Sequence, residues 1–182
     1  MENIKYIKLS NYDGFAVVDE ELHEEFSKHK WRADFKKNKI HRVCRDRNKK
    51  DPAGKTKIFM HQAVISVVPV GMVIDHINHN TLDNRKANLR VCTMRENALN
   101  RGPSKNNRTP YKGVTMRKLK NDKISYVARI ENRGVSIYIG VFDTAEKAAR
   151  AYNKKAKELF GEFAYLNDVP EEACDAEIQT NQ

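Results

Sequence analysis

Cysteine is scarce in the 182-residue chain, and its three copies, Cys44, Cys92 and Cys174, stand far apart with no C-x-x-C pair. An odd count at long spacings excludes a disulfide framework and a zinc knuckle, and leaves reduced thiols in a cytosolic protein as the plain reading. Long apolar runs are missing as well. The longest, 63–74, is interrupted by Ser66, Pro69 and Gly71 and is too short to cross a bilayer, so no membrane partner is expected. The start, Met1-Glu2-Asn3, lacks the basic and apolar regions of an export signal. The length leaves room for one medium domain or two small ones.

What the chain does have is positive charge. Its 34 Lys and Arg against 24 Asp and Glu give a formal +10, which points to a polyanionic partner. The charge is not spread evenly. Residues 30–61 carry +9 and residues 101–134 carry +8, whereas 62–100 carry only +1 and the two ends are acidic. Two basic blocks around a near-neutral centre suit contact with a phosphate backbone, because each neutralised phosphate releases a counterion.

Residues 4–9 and 15–18, separated by Asn11-Tyr12-Asp13-Gly14, read as a hairpin. Asp19 is placed to cap a helix with Glu20 and Glu21 in its first turn and Leu22 and Phe26 on its apolar face. Trp31, Phe35, Ile40, Val43 and residues 58–60 predict further short strands around a small core, with no chemistry in this first third. Residues 101–110 hold no large apolar side chain and read as a linker. The acidic tail, 168–182, is expected to fray.

The centre is where chemistry gathers. Residues 72–77 read as a strand delivering Asp75 and His76 side by side on opposite faces of its pleat. A polar loop, 78–86, and a second strand, 88–92, follow, and Thr93-Met94-Arg95-Glu96 has the T-x-x-E pattern of a capping box, so a helix begins there. That helix carries Asn97 and Asn100 three apart on one side. A carboxylate and an amide oxygen are hard ligands for Mg²⁺ or Mn²⁺, and a neutral histidine beside them can take a proton from an attacking water. The pattern therefore suits metal-assisted phosphodiester hydrolysis.

Taken together, Asp75-His76-Ile77, Asp83-Asn84-Arg85, Asn88-Leu89-Arg90, Glu96-Asn97 and Asn100-Arg101 resemble, in order and spacing, the HNH endonucleases, and most closely their phage homing-type branch. The resemblance covers residues 60–101. It implies a ββα-metal fold holding one divalent ion, Mg²⁺ or Mn²⁺, that cuts or nicks DNA. It further implies that His76 is the general base, that Asp75 and Asn97 are the metal ligands, and that Asn88 fixes the loop and orients His76. His61 matches a histidine that often precedes the motif in such proteins, with a packing or hydrogen-bonding role, and His79 reads as ordinary surface. Arg85 and Arg90 are candidate phosphate clamps.

Three alternating runs, 113–118, 125–131 and 135–141, follow the linker, with turns at Asn121-Asp122 and at Asn132-Arg133-Gly134. Val114, Met116, Ala128, Ile130, Ile137 and Ile139 sort to one side, and Thr115, Arg117, Arg129, Glu131, Ser136 and Tyr138 to the other. Thr144 then caps a helix with the stripe Ala145, Ala148, Ala149, Tyr152, Ala156, Leu159 and Phe160, stopped by Gly161. Through Tyr111-Lys112-Gly113-Val114, Val127-Ala128-Arg129-Ile130, residues 138–144, residues 148–152 and Asn167, this segment resembles the AP-two/ERF DNA-binding domain. That likeness implies that Lys112, Thr115, Arg117, Arg129, Ser136 and Tyr138 face double-stranded DNA.

The expected class is α+β. A small N-terminal α/β segment, 1–59, leads into the nuclease motif, 60–101, followed by a linker, 102–110, a three-stranded antiparallel sheet packed on one helix, 111–167, and the tail. The expected activity is that of a DNA endonuclease, probing duplex DNA as a monomer rather than a dimer, in the cytoplasm of a phage-infected or bacterial host cell. The competing reading is a DNA-binding transcription regulator with an inactive nuclease half.

Overall fold

In the computed structural model, which describes residues 3–47, 57–118 and 123–170, β1 (Ile4–Lys8) and β2 (Phe15–Asp19) form an antiparallel hairpin. Alternation sends Ile7, Ala16 and Val18 inward and leaves Tyr6 and Phe15 exposed. Helix α1 (Glu20–Ser27) follows, adding Leu22 and Phe26 to the same core. The core closes around the single tryptophan, Trp31, whose indole N–H donates to the Phe26 carbonyl at 2.9 Å. A buried indole needs that partner.

The chain divides into two units, Met1–Asn97 and Ala98–Gln182. In the first, β3 (Arg32–Lys36), β4 (Lys39–Asp46) and β5 (Lys57–Phe59) make a sheet in that order, both pairs antiparallel. Lys37 and Asn38 turn β3 into β4 with φ of 52° and 60°, the primed-turn geometry that matches strand twist. Helix α2 (Met60–Val64) leads to the antiparallel pair β6 (Met72–His76) and β7 (Leu89–Thr93), and then to α3 (Met94–Leu99). Cys44 and Cys92 are buried free thiols; Cys174 lies outside the described residues.

Several local expectations shift. Met60 opens a helix rather than ending a strand, and Asn88 sits in a short 3-10 turn, Lys86–Asn88, just before β7. Asn100 lies past the end of α3, so it does not share a helical face with Asn97. Asp19 occupies the N-cap position of α1 but makes no side-chain cap bond. Its carboxylate accepts instead from the backbone N–H of Lys86 at 2.8 Å. A long-range donor has displaced the local one, because Lys86 at the start of its 3-10 turn has an N–H that the turn itself leaves unpaired.

The second unit builds β8 (Val114–Lys118), β9 (Ile124–Asn132) and β10 (Val135–Phe142) into an antiparallel sheet with β9 central. Helix α4 (Ala145–Phe160) is capped by Thr144, whose hydroxyl accepts from the Lys147 N–H at 3.2 Å, and it ends at Gly161 with φ of 55°. All seven stripe residues of α4 enter the two core clusters beneath the sheet. Ala148, Ala149 and Ala156 are fully buried, and their small side chains let the helix backbone lie close on β9. Met116, expected inside, is 39% exposed, because β8 is an edge strand and only its start lies under the helix. The turn expected at Asn121-Asp122 falls outside the described residues.

The segment expected to fray begins ordered: Val169 packs on the core of this unit and the Pro170 carbonyl accepts from Arg150 at 2.7 Å. Just before it, Asn167 is buried and its amide oxygen accepts from Lys112 N–H at 2.6 Å. Among the described residues no helix is long and apolar enough to cross a membrane. Gly113 has φ of 75°, and a Cβ there would stand 2.2 Å from the Tyr152 ring and 2.5 Å from the Arg129 carbonyl. Gly113→Ala is therefore expected to destabilise this unit by about 2–4 kcal/mol, read as a lowered unfolding midpoint. An unchanged midpoint contradicts the packing described.

Candidate active site

Strand pairing sets the first two side chains. Asp75 stands directly across from Arg90 in the β6–β7 register, and Arg90 donates to Asp75 Oδ2 through Nε at 3.1 Å and Nη2 at 2.8 Å. Arg90, expected as a phosphate clamp, is thus engaged by a nearly buried acid. Asp75 and His76 were expected on opposite faces of the pleat, yet both are 8% exposed and line one cleft. His76 is the last residue of β6, where the backbone leaves the strand and the strict alternation ends.

The polar loop between β6 and β7 is organised by Asp83. Arg85 grips its carboxylate with Nε on Oδ1 and Nη2 on Oδ2, both at 2.8 Å, and Asn78 Nδ2 adds a bond at 2.9 Å. The Arg85 bonds hold the Asp83 carboxyl below the usual range of its kind, against the effect of burial. Arg85 is therefore a loop brace in the structure, not an open cation. Asn88 accepts from the Asn78 N–H at 3.0 Å and donates to the Asp83 carbonyl at 2.8 Å. These two bonds tie Asn88 to the loop, and the amide beside the His76 ring is that of Asn84, with Oδ1 3.4 Å from Nε2. Asn84 is 0% exposed and donates to the Thr81 carbonyl.

The N-terminal hairpin carries this loop. Val17 N–H donates to the Leu82 carbonyl and Asn84 N–H to the Val17 carbonyl, each at 2.8 Å, while Leu82 packs on the Trp31 core. The first third of the chain also supplies cleft wall. A cleft of about 210 Å³ is lined by His41, Arg42, His61, Ile74, Asp75, His76, His79, Thr81 and Asn97. His79, read as ordinary surface, thus joins the cleft with φ of 64°.

Burial lowers His76 below the usual histidine range, and Arg42 adds to the shift, opposed by Asn84, Asp75 and Asp83. It is neutral at pH 7, the form that can accept a proton. His61 is 6% exposed, and its ring meets His76 edge-on at 5.5 Å and stacks on Phe59 at 5.8 Å. Burial first, then the neighbouring His76, Arg42 and His41, push it down to about 3. Its buried Nδ1 has no hydrogen-bond partner among the described residues.

The capping box places Asn97. Thr93 N–H and Oγ1 each donate to Glu96 Oε2 at 2.8 Å, and Glu96 N–H donates back to Thr93 Oγ1 at 3.2 Å. With the first turn of α3 fixed, Asn97 faces the cleft that holds Asp75 and His76. Among the described residues no group of three His, Cys, Asp or Glu is placed to hold a metal. One carboxylate and one amide oxygen instead fit a hard divalent ion that keeps several waters.

In the second unit the sheet face turned away from α4 carries the other expected residues. Thr115, Arg117, Arg129 and Ser136 are exposed, and Tyr138, 59% exposed, pairs across the strands with Arg129. Neither Arg117 nor Arg129 forms an ion pair with any described residue. Lys112 differs from the expectation. Its ammonium donates to the carbonyls of Leu99 and Arg101 at 2.6 and 2.7 Å, and burial, then the charge of Arg101, lowers it to about 8. It acts within the unit.

Sequence reasoning passed over His41, Arg42 and Asn84. Asn84 carried a signal, its place in the Asp83-Asn84-Arg85 element, whereas the other two enter through folding of a distant strand.

Two strands closing on a short helix, with an Asp-His pair on the first strand and an asparagine on the helix, form the ββα arrangement that lines this cleft. Residues 66–99 match the family model described as HNH endonuclease. An uncharacterized HNH endonuclease of Acanthamoeba polyphaga mimivirus is 36% identical over 118 residues, 62% of this chain and 59% of that protein. Dehydration-responsive element-binding protein 2D of Arabidopsis thaliana is 43% identical over 63 residues, 34% of this chain and 28% of that protein. The 2A protein of the same plant is 33% identical over 84 residues, 45% and 24% of the two chains. The likeness to these two supports an AP-two/ERF-type domain in the C-terminal part. The chain spans about three fifths of the viral relative and about a quarter of each plant protein. No solved structure matches it.

A histidine held neutral by the fold favours protonation of the unfolded chain as pH falls. Stability contributed by neutral His61 is therefore present above about pH 6.5 and is lost as pH falls toward about 3. His61→Phe keeps the stack on Phe59 and removes this titration. Over that window wild type is expected to lose about 1.4 kcal/mol per pH unit more than the variant, measured by urea unfolding. Parallel pH profiles contradict the neutral buried state.

Proposed function

We propose that the protein is a divalent-metal-dependent DNA endonuclease that hydrolyses phosphodiester bonds at the cleft of the first unit and holds duplex DNA with the sheet of the second. The observation that carries this reading is the convergence of Asp75, His76 and Asn97 on one cleft. His76 is the general base. Its neutral imidazole takes a proton from water as the water oxygen bonds to phosphorus, and the leaving oxygen takes a proton from solvent as its bond to phosphorus breaks. Asn84 keeps the ring aimed, while Asn88 and Asp83 hold the loop that carries Asn84.

Asp75 and Asn97 would hold the ion, Mg²⁺ or Mn²⁺, with Arg90 fixing the Asp75 carboxylate from the opposite strand. Such an ion supplies positive charge to the phosphoryl and leaving oxygens when bound. Thr115, Arg117, Arg129, Ser136 and Tyr138 form the duplex-facing surface, since an exposed antiparallel sheet can enter a major groove and reach base edges. With one cleft bringing Asp75, His76 and Asn97 together among the described residues, a monomer cuts one strand and so nicks.

Plasmid relaxation tests the reading. Wild type with Mg²⁺ or Mn²⁺ is expected to convert supercoiled plasmid to the open circle, chelation to stop it, and His76→Ala to slow it roughly 10²–10⁴-fold. No relaxation with either metal, or equal rates for His76→Ala and wild type, overturns the assignment.

A further inference from the structure

Of the cations around the cleft, two arginines are held by acids: Arg85 by Asp83 and Arg90 by Asp75. Arg42, on β4, lines the same cleft and forms no ion pair with any described residue. The acid across from it in the β3–β4 register, Asp34, is occupied by Lys57 at 2.8 Å. What anchors Arg42 is a ring: its guanidinium carbon lies 5.1 Å from the Phe59 centroid. Phe59 in turn stacks on His61, whose ring meets His76. Such a contact uses the flat face of the guanidinium and leaves the in-plane N–H donors for another partner.

Building on the nuclease reading above, we propose that Arg42 is the phosphate clamp of the cleft, donating through its guanidinium fork to the non-bridging oxygens of the scissile phosphodiester. A planar fork matches two phosphate oxygens at once. The cleft otherwise presents Asp75, whose negative charge repels a phosphate, and Arg42 is the cation that faces it from the β3–β4–β5 sheet. As water bonds to phosphorus and its proton passes to His76, charge grows on those oxygens, so the clamp strengthens in the transition state. The N-terminal sheet thereby contributes a catalytic residue, and the active site is assembled from β4 together with the ββα segment.

The test is single-turnover nicking of supercoiled plasmid by the full chain in Mn²⁺, alongside its affinity for a fluorescent random-sequence duplex. Arg42→Ala is expected to slow nicking by roughly 10²–10³-fold while duplex affinity falls less than about threefold. Arg42→Lys keeps a point charge without the fork and is expected to recover only part, staying about tenfold below wild type. Arg42→Gln, which keeps a flat group over Phe59, guards against a folding defect and is expected to be slowed about as much as Arg42→Ala. If wild type nicks and Arg42→Gln or Arg42→Ala keeps pace, the clamp is overturned and the nuclease reading stands. Wild type that nicks nothing overturns the reading itself, and the clamp with it.

Discussion

A buried carboxylate, Asp83, holds the turn on which the cleft depends. Four groups converge on this residue: the Arg85 fork, the Asn78 amide, the Asn88 amide on its carbonyl, and the edge of β2 through a parallel bridge to Val17. A charge taken out of water is costly unless it is paired and hydrogen-bonded, and here each carboxylate oxygen has donors. With that turn fixed, Asn84 meets the His76 ring and Asn88 ties the strand ends together through Asn78. Loss of the Asp83 charge removes the acceptor of the Arg85 fork inside the loop, so the cleft geometry and the loop fold rise or fall together.

The N-terminal segment, which shows no chemistry as a sequence, is structurally the other half of the site. Its core around Trp31 takes in Leu82 from the loop, and Asp19 accepts from Lys86 at the start of the 3-10 turn that ends in Asn88. Lys86 also pairs with Glu21 on the surface. From the same segment β4 brings His41 and Arg42 to the cleft wall. Positive charge from β4 and negative charge from β6 thus meet across a small cleft. Burial, with a smaller push from Arg42 and against the charge of Asp75, keeps His76 neutral beside that cation.

What was legible in the sequence is what is encoded locally. The T-x-x-E capping box, the alanine stripe of α4 and the alternation of β9 each depend on neighbours within a few residues, and each appears with little displacement. The Asp75-His76 pair and Asn97 were readable for the same reason, as spaced chemistry on adjoining elements. Side-chain partners were not. Arg90 reads as an open cation until strand register sets it across from Asp75. Asp19 reads as a helix cap until Lys86, 67 positions away, competes for its carboxylate. Lys112 reads as a DNA contact until burial directs its ammonium to two carbonyls. In each case a long-range contact satisfies a polar group that local pattern leaves open, and only the folded chain decides which of several eligible side chains receives it.

In the proposed nuclease Asp75 and Asn97 present two hard oxygen ligands to one ion beside His76. Anomalous diffraction from crystals of the full chain equilibrated with Mn²⁺ tests this most directly. A single Mn²⁺ peak within about 2.0–2.4 Å of an Asp75 carboxylate oxygen and the Asn97 amide oxygen is the predicted result. Mn²⁺ bound elsewhere, with Asp75 still closed on Arg90 and Asn97 unliganded, contradicts it.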